Sequence, residues 1–402
     1  MSKSQTYKLK IIYFFKYFAD AIFSAYFASY FLTIFDSDSI EYGLLLGAIP
    51  ITALFANLFW GYISSKPSKN LVQMRLIVIL ECIAMATIFI NKEFGFMLFF
   101  VIFFSLFSSP SFNLQDCLAM NYSKIEKTSF QKIMFYGQAG GIVAGFVGSG
   151  LLALTDNDYM FIFICAILLN ILCFVLWLFV KPIPDDLFIN EIKEETVNIS
   201  FKEVLKYKQY IIYLIVYLLV AGINYVGNQY EAARAALNGI VDTNYFTIKA
   251  IGGLVLLGVF YLTLKVSKPK RYYSLILLSL AILALRTFIY AFSSSDVMLI
   301  LGIILSYVGW GIFIAMHLTF LSKLLPIHLL TKGVSLMMPC YYIICGIMTL
   351  IAPEIYSRIG LHSFYLILFL IQLIGCLILL FNKKNIEVEM FKNDDVIAEN
   401  IE

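Results

Sequence analysis

Charged side chains are scarce in this sequence. Only 14% of its 402 residues are Asp, Glu, Lys or Arg, and 61% are apolar. A soluble domain carries roughly 25% charged residues and is about half apolar. The composition therefore excludes a soluble globular protein and indicates an integral membrane protein.

The alternation of apolar and polar residues that is typical of outer-membrane barrel strands is also missing. The apolar runs are instead continuous and about twenty residues long, which is the length of an α-helix that spans a bilayer. Aromatic residues, which anchor such helices at the membrane interfaces, make up 16% of the chain. The predicted fold class is an all-α integral membrane protein.

Motifs of catalysis and of metal binding are missing as well. The seven cysteines lie in or beside apolar runs, with no CxxC pair and no histidine at metal spacing, so neither disulfides nor zinc is predicted. No Walker loop, haem-ligand pair or HExxH motif occurs. We therefore expect no enzyme activity, no cofactor, no metal and no nucleic-acid partner. The start, "MSKSQTYKLK", has no small-residue cleavage site and predicts a retained first helix.

Twelve apolar runs are predicted to cross the membrane as helices. They begin near Ile11, Tyr42, Val72, Phe96, Lys132, Tyr159, Gln209, Tyr245, Arg271, Val297, Thr331 and Ser363. Their connections alternate between a lysine-rich set and an acidic or neutral set, such as "DSDSIE" and "TDND". The positive-inside rule assigns the lysine-rich set to the cytoplasm. We therefore predict a multi-pass protein of the cytoplasmic membrane with both termini in the cytoplasm.

The longest interior polar stretch separates the sixth run from the seventh. The predicted domains are an N-terminal six-helix bundle at 1–181, a cytoplasmic linker at 182–208, a C-terminal six-helix bundle at 209–382 and a cytoplasmic tail at 383–402. Ser-Lys-Pro occurs in "ISSKPSKN" and returns half a chain later in "VSKPKR", each time between the second and third helix of its half. Two similar halves in one orientation predict two pseudo-symmetric bundles.

On this topology and on one motif the sequence resembles the major facilitator superfamily of transporters. The family signature Gly-x-x-x-Asp-Arg/Lys-x-Gly-Arg/Lys-Arg/Lys corresponds here to "GYISSKPSKN". Gly61, Lys66 and Lys69 match this signature, whereas Ser65 replaces its acid. The resemblance implies transport by alternating access, and Ser65 implies an inner gate without the ion pair that the acid makes.

Three stretches resemble the lactose permease branch of oligosaccharide–proton symporters. They are "FQKIMFYGQAGG", "GINYVGNQYE" and "PEIYSRIGLHSFYLILFLIQLIG". The resemblance places Asp116 on an acid that binds sugar, and it aligns Asn228 and Glu231 with a pair of acids. Met134 and Gly141 depart from the arginine and the tryptophan that bind sugar in that branch. A galactoside substrate is therefore not implied.

Charged residues inside the first and third runs mark candidate sites, because a charge at the bilayer centre costs at least about 2.5–3.5 kcal/mol. Lys16 and Asp20 share one face of the first helix and are close enough to pair. Asp20 is predicted as a substrate ligand, and the alternative is a lysine that extends to the cytoplasm and is neutralised by Asp20. Glu81 is alone in "RLIVILECIAMATIF" and is predicted either to carry protons or to be a permanently protonated structural acid.

The seventh helix carries a polar stripe formed by Asn224, Asn228 and Glu231. A stripe that faced lipid would leave its amides and carboxylate without partners, so the stripe is predicted to line a wet cavity. Asn224 and Asn228 are predicted substrate ligands there. A stripe that only joins helices is the alternative. Arg286, in "LALRTFIYAF", needs an acid, which either Glu231 or Asp20 could supply. Glu231, Arg286 and Glu81 are the predicted proton-coupling residues.

The fourth and fifth helices supply the remaining predicted substrate ligands. Asn113 and Asp116 lie toward the cytoplasmic end of the fourth helix, where exposure at the membrane interface is the alternative. Gln138 is predicted to point into the cavity from the fifth helix. That helix also has glycines at a four-residue spacing, which predicts close helix packing; they are Gly137, Gly141 and Gly145.

These features predict a secondary active transporter that moves a small polar solute, such as a sugar or a nucleoside-like compound, by alternating access. Embedded carboxylates and the permease resemblance favour symport with protons. Proton-coupled efflux of drugs or metabolites is the alternative, and a membrane sensor or enzyme belongs to a different class. The predicted partners are the solute, protons and the lipid bilayer, and the chain is predicted to act as a monomer.

Overall fold

The computed structural model describes residues 4–63, 67–126, 128, 130–182, 201–293 and 295–390. Within these ranges the chain forms helices joined by short connections, and no β-strand occurs among them. Three predicted features lie wholly or partly outside the described residues: Ser65 and Lys66 of the signature, most of the linker, and the tail after residue 390.

Fifteen α-helices are described. They are α1 (Ser4–Ser24), α2 (Phe27–Leu32), α3 (Ile40–Ile63), α4 (Pro67–Ala86), α5 (Phe94–Ile125), α6 (Phe130–Leu154), α7 (Tyr159–Leu178), α8 (Phe201–Val204), α9 (Lys208–Tyr217), α10 (Ile223–Gln229), α11 (Glu231–Leu237), α12 (Asp242–Val266), α13 (Tyr272–Phe292), α14 (Asp296–Leu324) and α15 (Ile327–Phe381). Eleven helical segments of the described ranges are long and apolar enough to cross a membrane.

The last of these segments contains two crossings. Helix α15 has 55 residues, which gives about 80 Å at ~1.5 Å per residue against a hydrocarbon core of roughly 30 Å. The helix is interrupted at Gly360, whose φ of 79° and ψ of 161° are non-helical. Glycine is suited to this conformation because it has no Cβ. Counting both parts of α15 gives the twelve crossings that the hydrophobic runs predict.

The chain divides into two compact units. The first unit comprises residues 1–197 and 241–250, and the second comprises 198–240 and 251–402. The first part of α12 therefore belongs to the first unit. There the Ser149 hydroxyl lies 2.5 Å from that of Thr247, and the Tyr159 hydroxyl donates a hydrogen bond to Asp242.

In the first unit, α1 packs against α6 and α7. Glycines of α6 allow this approach, because a Cβ on Gly140 would lie 2.1 Å from the backbone oxygen of Phe14. A Cβ on Gly137 would lie 2.9 Å from the Tyr17 ring, whereas one on Gly141 would have no neighbour closer than 3.9 Å. The predicted close packing is confirmed for Gly137, and Gly140 rather than Gly141 is the position of tightest approach to α1.

In the second unit, α13 packs against α14 and α15. The seventh crossing is irregular: a π-helical turn at Leu218–Gly222 separates α9 from α10, and Tyr230, with φ −96° and ψ 2°, separates α10 from α11. Such π-turns are frequent at functional sites. These two interruptions enclose the helix that carries Asn224 and Asn228 and precede Glu231.

Candidate functional site

A buried ion cluster joins the first and third crossings of the first unit. The Lys16 ammonium donates hydrogen bonds to Asp20 Oδ1 at 2.7 Å and to Glu81 Oε2 at 2.6 Å. Lys16 and Glu81 have no exposed surface, and Asp20 is 2% exposed. The lysine is therefore enclosed by the unit, and the alternative in which it extends to the cytoplasm is wrong.

Glu81 is not the isolated acid that its local sequence predicts. It pairs with a lysine 65 positions earlier because α1 and α4 both pack against α7. The cluster contains two carboxylates and one ammonium. Within the described residues, Asp20 Oδ2 and Glu81 Oε1 are buried and accept no hydrogen bond.

A second ion cluster lies in the second unit. The Arg286 guanidinium donates to Glu231 Oε2 at 2.7 Å and to Asn224 Oδ1 at 2.6 Å. The Tyr290 hydroxyl donates to the same oxygen of Glu231 at 2.7 Å. All four side chains are buried. Of the two acids predicted as possible partners of Arg286, the structure selects Glu231 and not Asp20. The pair of Arg286 and Glu231 contains one charge of each sign.

The predicted polar stripe of the seventh helix is divided. Asn224 and Glu231 are buried against Arg286, whereas Asn228 is exposed. Four residues at about 100° per residue place Asn228 only about 40° around the helix from Asn224, so Asn228 lies one turn further along the same side, at a position that is exposed. Only Asn228 of the three has an exposed side chain, and the other two join helices.

The predicted ligands of the fourth and fifth crossings differ in exposure. Asp116 is partly buried and accepts a hydrogen bond from the Tyr13 hydroxyl at 2.7 Å. Asn113 is exposed, and its amide donates to Asn57 Oδ1 at 2.8 Å. Gln138 is partly buried on α6. The structure therefore brings Asp116 to the first helix and Asn113 to the second crossing.

A cavity of 210 Å³ opens beside Asn113 in the first unit. Its lining combines amide side chains with an indole ring and comprises Asn57, Trp60, Gly61, Asn70, Pro110, Asn113, Leu114 and Cys117. Asn70 is buried, and its Oδ1 accepts no hydrogen bond from the described residues. The cavity is smaller than the roughly 300 Å³ at which sites for drug-sized ligands begin.

The crossings and the buried ion clusters describe an integral membrane protein, and the comparison of the sequence with known families shows which kind it is. The profile of the MFS_1 like family matches residues 6–367. The chain belongs to the MFS_1 like family. The predicted relationship to the major facilitator superfamily is thereby confirmed, and so is the prediction that the chain is a transporter and not an enzyme.

Known proteins similar to this MFS_1 like transporter support the assignment. The uncharacterized transporter YwbF of Bacillus subtilis (strain 168) is 23% identical over 298 residues, which cover 72% of this chain and 70% of that protein. A crystal structure of a mutant of the nucleoside transporter NupG superposes with a TM-score of 0.77 at 17% identity, covering 94% of this chain and 99% of that one. The D-xylose-proton symporter gives a TM-score of 0.66 at 12% identity, with coverage of 93% and 96%. The two structures establish the all-α major facilitator fold.

Some residues at the sites of this MFS_1 like transporter are not found by sequence reasoning. Tyr290 lies one helical turn after Arg286 on the same helix. This spacing predicts that the two side chains are neighbours and can contact the same partner. Tyr13, Asn57 and Trp60 carry no such signal, because their partners come from crossings that are distant in sequence.

Proposed function

We propose that this transporter is a secondary active symporter that carries a small polar solute, such as a sugar or a nucleoside-like compound, together with protons. The observation that carries the proposal is the exposure of Asn113 and Asn228 on membrane-spanning helices. An amide that faced lipid would lack hydrogen-bond partners. Exposed amides on such helices are therefore expected to face water or solute.

The solute class follows from the chemistry of these groups. Carboxamides both donate and accept hydrogen bonds, which suits the hydroxyl groups of a sugar or a ribose. The cavity beside Asn113 adds the Trp60 ring, against which an apolar sugar or base face can pack. We propose Asn113, Asp116, Gln138 and Asn228 as solute ligands. NupG and the D-xylose-proton symporter, whose folds are similar, are described as transporting solutes of these two classes.

Two of the predicted solute ligands are reassigned by their surroundings. Asp20 is bonded to Lys16, and Asn224 is bonded to Arg286, and both are buried. A solute would have to replace an existing charged hydrogen bond to reach either side chain. We therefore propose that Asp20 acts in coupling and that Asn224 orients Arg286.

Proton coupling is proposed on the buried carboxylates of the first cluster, whereas Glu231 is proposed as the counter-ion of Arg286. Glu81, and Glu231 with Arg286, are enclosed by membrane-spanning helices. Carboxylates in such positions are rare and commonly mark ion pathways and proton relays. The proposal places the transporter in the cytoplasmic membrane, with both termini in the cytoplasm, working as a monomer by alternating access.

Flux through purified protein in liposomes tests the proposed function. The solute is first selected by a thermal-shift screen of sugars, nucleosides and amphipathic drugs. We expect a radiolabelled sugar or nucleoside to accumulate against its gradient when the proton gradient points in the direction of transport, and a protonophore to abolish accumulation. Movement only in the opposite direction to protons would identify proton-coupled efflux instead, and the absence of any solute movement would refute the proposal.

A matched pair of variants ties this flux to the proposed site. Asn228→Leu removes an exposed amide, and we expect the KM to rise about tenfold, which corresponds to the loss of one hydrogen bond worth about 1.4 kcal/mol. Glu354→Gln changes an exposed residue that pairs with Arg358 and should leave the KM unchanged. An unchanged KM for Asn228→Leu would remove that residue from the solute site.

A further inference from the structure

The two ion clusters differ in their balance of charge, and this difference distinguishes their roles in coupling. We propose that Asp20 and Glu81 share one exchangeable proton, held beside the permanently charged Lys16, whereas the cluster of Arg286 and Glu231 exchanges none. This inference rests on the proposed function for its physiological meaning. The sharing of the proton is a property of the protein by itself.

The geometry of the first cluster leaves a place for one proton. Lys16 occupies one oxygen of each acid, Asp20 Oδ1 and Glu81 Oε2. The other two oxygens, Asp20 Oδ2 and Glu81 Oε1, are buried and accept no hydrogen bond from the described residues. Both acids are bonded to the same ammonium. A single proton can therefore bind to the free oxygen of either acid.

Charge balance gives the number of protons. With both acids ionised, the cluster carries one excess negative charge in a region with almost no exposed surface. A buried charge without a partner is far more costly than a paired one, and such groups neutralise by binding a proton. One proton makes the cluster neutral, with one carboxylate paired to Lys16. A second proton would leave the Lys16 ammonium without a counter-ion.

The second cluster is balanced without a proton. Arg286 and Glu231 carry one charge of each sign, and the Glu231 carboxylate also accepts a hydrogen bond from Tyr290. Protonation of Glu231 would leave the Arg286 guanidinium buried and unpaired. The structure therefore favours Glu231 as a permanently ionised partner of Arg286, in place of the proton-coupling role that its sequence position predicts.

The other titratable groups near the first cluster do not supply a competing charge. Tyr17 on α1, Cys82 on α4 and Cys173 on α7 interact with the cluster, and phenols and thiols of ordinary pKa are neutral near pH 7. Asp116 on α5 is bonded to the Tyr13 hydroxyl, whereas Lys16 is bonded to Asp20 and Glu81. On α6, Lys132 and Tyr136 are exposed, and the Lys10 ammonium lies over the Tyr136 ring.

The exchange step is a simple proton transfer. A hydronium ion transfers its proton to Asp20 Oδ2 or Glu81 Oε1 and leaves as water, and the cluster becomes neutral. No bond between heavy atoms forms or breaks, and Lys16 keeps its three protons throughout. Release reverses the transfer to water and restores the excess negative charge.

Infrared difference spectroscopy of the purified full chain tests the sharing of the proton directly. A step from alkaline to acidic pH produces the C=O band of a protonated buried carboxylic acid, and a pH-sensitive dye counts the protons taken up. In Asp20→Asn and in Glu81→Gln the remaining acid is balanced by Lys16. We therefore expect each single variant to lose the whole band and one proton of uptake, and the double variant to lose no more.

Variants outside the first cluster serve as controls. Glu354→Gln, an exposed acid, should keep the band and the proton count. Glu231→Gln should keep the band as well. Persistence of the band in both single variants, or a loss of half the band in each, would overturn the sharing of one proton. If either Asp20→Asn or Glu81→Gln does not give a single size-exclusion peak, the other of these two variants decides the test.

Transport then separates the two proposals. In liposomes, Glu81→Gln should lose proton-driven accumulation completely while retaining exchange of labelled solute across the membrane. If the wild-type protein binds one shared proton but moves no solute, the proposed function fails and the proton site stands. If the wild-type protein accumulates solute and Glu81→Gln accumulates it equally well, the proton site fails and the symporter stands.

Discussion

Individual residues of this transporter show how the same side-chain chemistry acquires different roles from its partners. Glu81 shares one lysine with a second acid, whereas Glu231 has an arginine and a tyrosine of its own. Both glutamates are buried in an apolar surrounding. The partner, and not the burial, therefore determines whether the acid has room for a proton.

Replacing Glu231 with an uncharged residue tests whether the partners of this glutamate determine its role. Glu231→Gln leaves Arg286 buried without a counter-ion, and breaking a buried pair in this way costs about 3–5 kcal/mol. Tyr290→Phe removes one hydrogen bond to a charged group, for which we expect a loss of about 1.5–3 kcal/mol. Thermal unfolding in detergent should rank the wild type above Tyr290→Phe, and Tyr290→Phe above Glu231→Gln.

A double variant provides the control. Arg286→Gln combined with Glu231→Gln removes both charges, so it should unfold at a higher temperature than Glu231→Gln alone. A double variant that is less stable than both single variants would contradict the assignment of Glu231 as the counter-ion of Arg286.

At this scale the sequence predicts partners on one helix well and partners on different helices poorly. The pair of Lys16 and Asp20 follows from a four-residue spacing, and the structure confirms it. The pairing of Glu81 with Lys16 depends on how α1 and α4 pack against α7, which no local period encodes. The need of Arg286 for an acid is evident from the cost of a buried charge, but the choice of Glu231 requires the fold.

Helix packing in the first unit depends on where a side chain is missing. The approach of α1 to α6 depends on Gly140, because there is no space for a Cβ beside the Phe14 carbonyl. Small residues give close contacts of this kind between membrane helices. A Cβ on the neighbouring Gly141 would lie 3.9 Å from Ala21 Cβ, an ordinary contact distance, so Gly141 supplies a matched comparison on the same turn.

Alanine at these two glycines tests the packing of α1 against α6. Gly140→Ala forces the two backbones apart, and overpacking typically costs about 1–3 kcal/mol. Gly141→Ala adds the same methyl group where the nearest atom is 3.9 Å away, and we expect no loss of stability. The melting temperatures of the two purified variants in detergent make the comparison. Equal melting temperatures for the two variants would mean that Gly140 does not limit the approach of α1 to α6.

The glycine-rich character of α6 is evident from the sequence, but the glycine of tightest approach to α1 is not, because a four-residue spacing fits more than one rotation of the helix. The seventh crossing has a similar limit. Its apolar run predicts one continuous helix, whereas the structure interrupts it at Leu218–Gly222 and at Tyr230. No proline marks either interruption, so the sequence gives no sign of them. In the structure the predicted stripe of three polar residues is divided into two buried residues and one exposed residue.

For the whole molecule, the hydrophobic runs and the lysine-rich connections carry most of the information. Run length gives the twelve crossings, including the two within α15, because each crossing must satisfy its backbone hydrogen bonds as a helix. The orientation is a prediction that rests on the distribution of lysine alone. It is independent of how the helices pack, and so it requires its own measurement.

Reporter fusions measure the orientation. Alkaline phosphatase, which is active only outside the cytoplasm, should be active when fused after Asp156, in the acidic "TDND" connection, and inactive when fused after Lys384. Green fluorescent protein should give the opposite pattern at the two positions. An active phosphatase at Lys384 would reverse the orientation and would place the lysine-rich connections outside.

The division of α12 also limits how the protein can be cut. Residues 241–250 follow the linker and the seventh crossing in the chain, yet they belong to the first compact unit. A gene fragment that ends at residue 197 would encode that unit without the segment that contacts Ser149 and Tyr159. Reassembly from separately expressed fragments would therefore require the second fragment to supply residues 241–250 to the first unit.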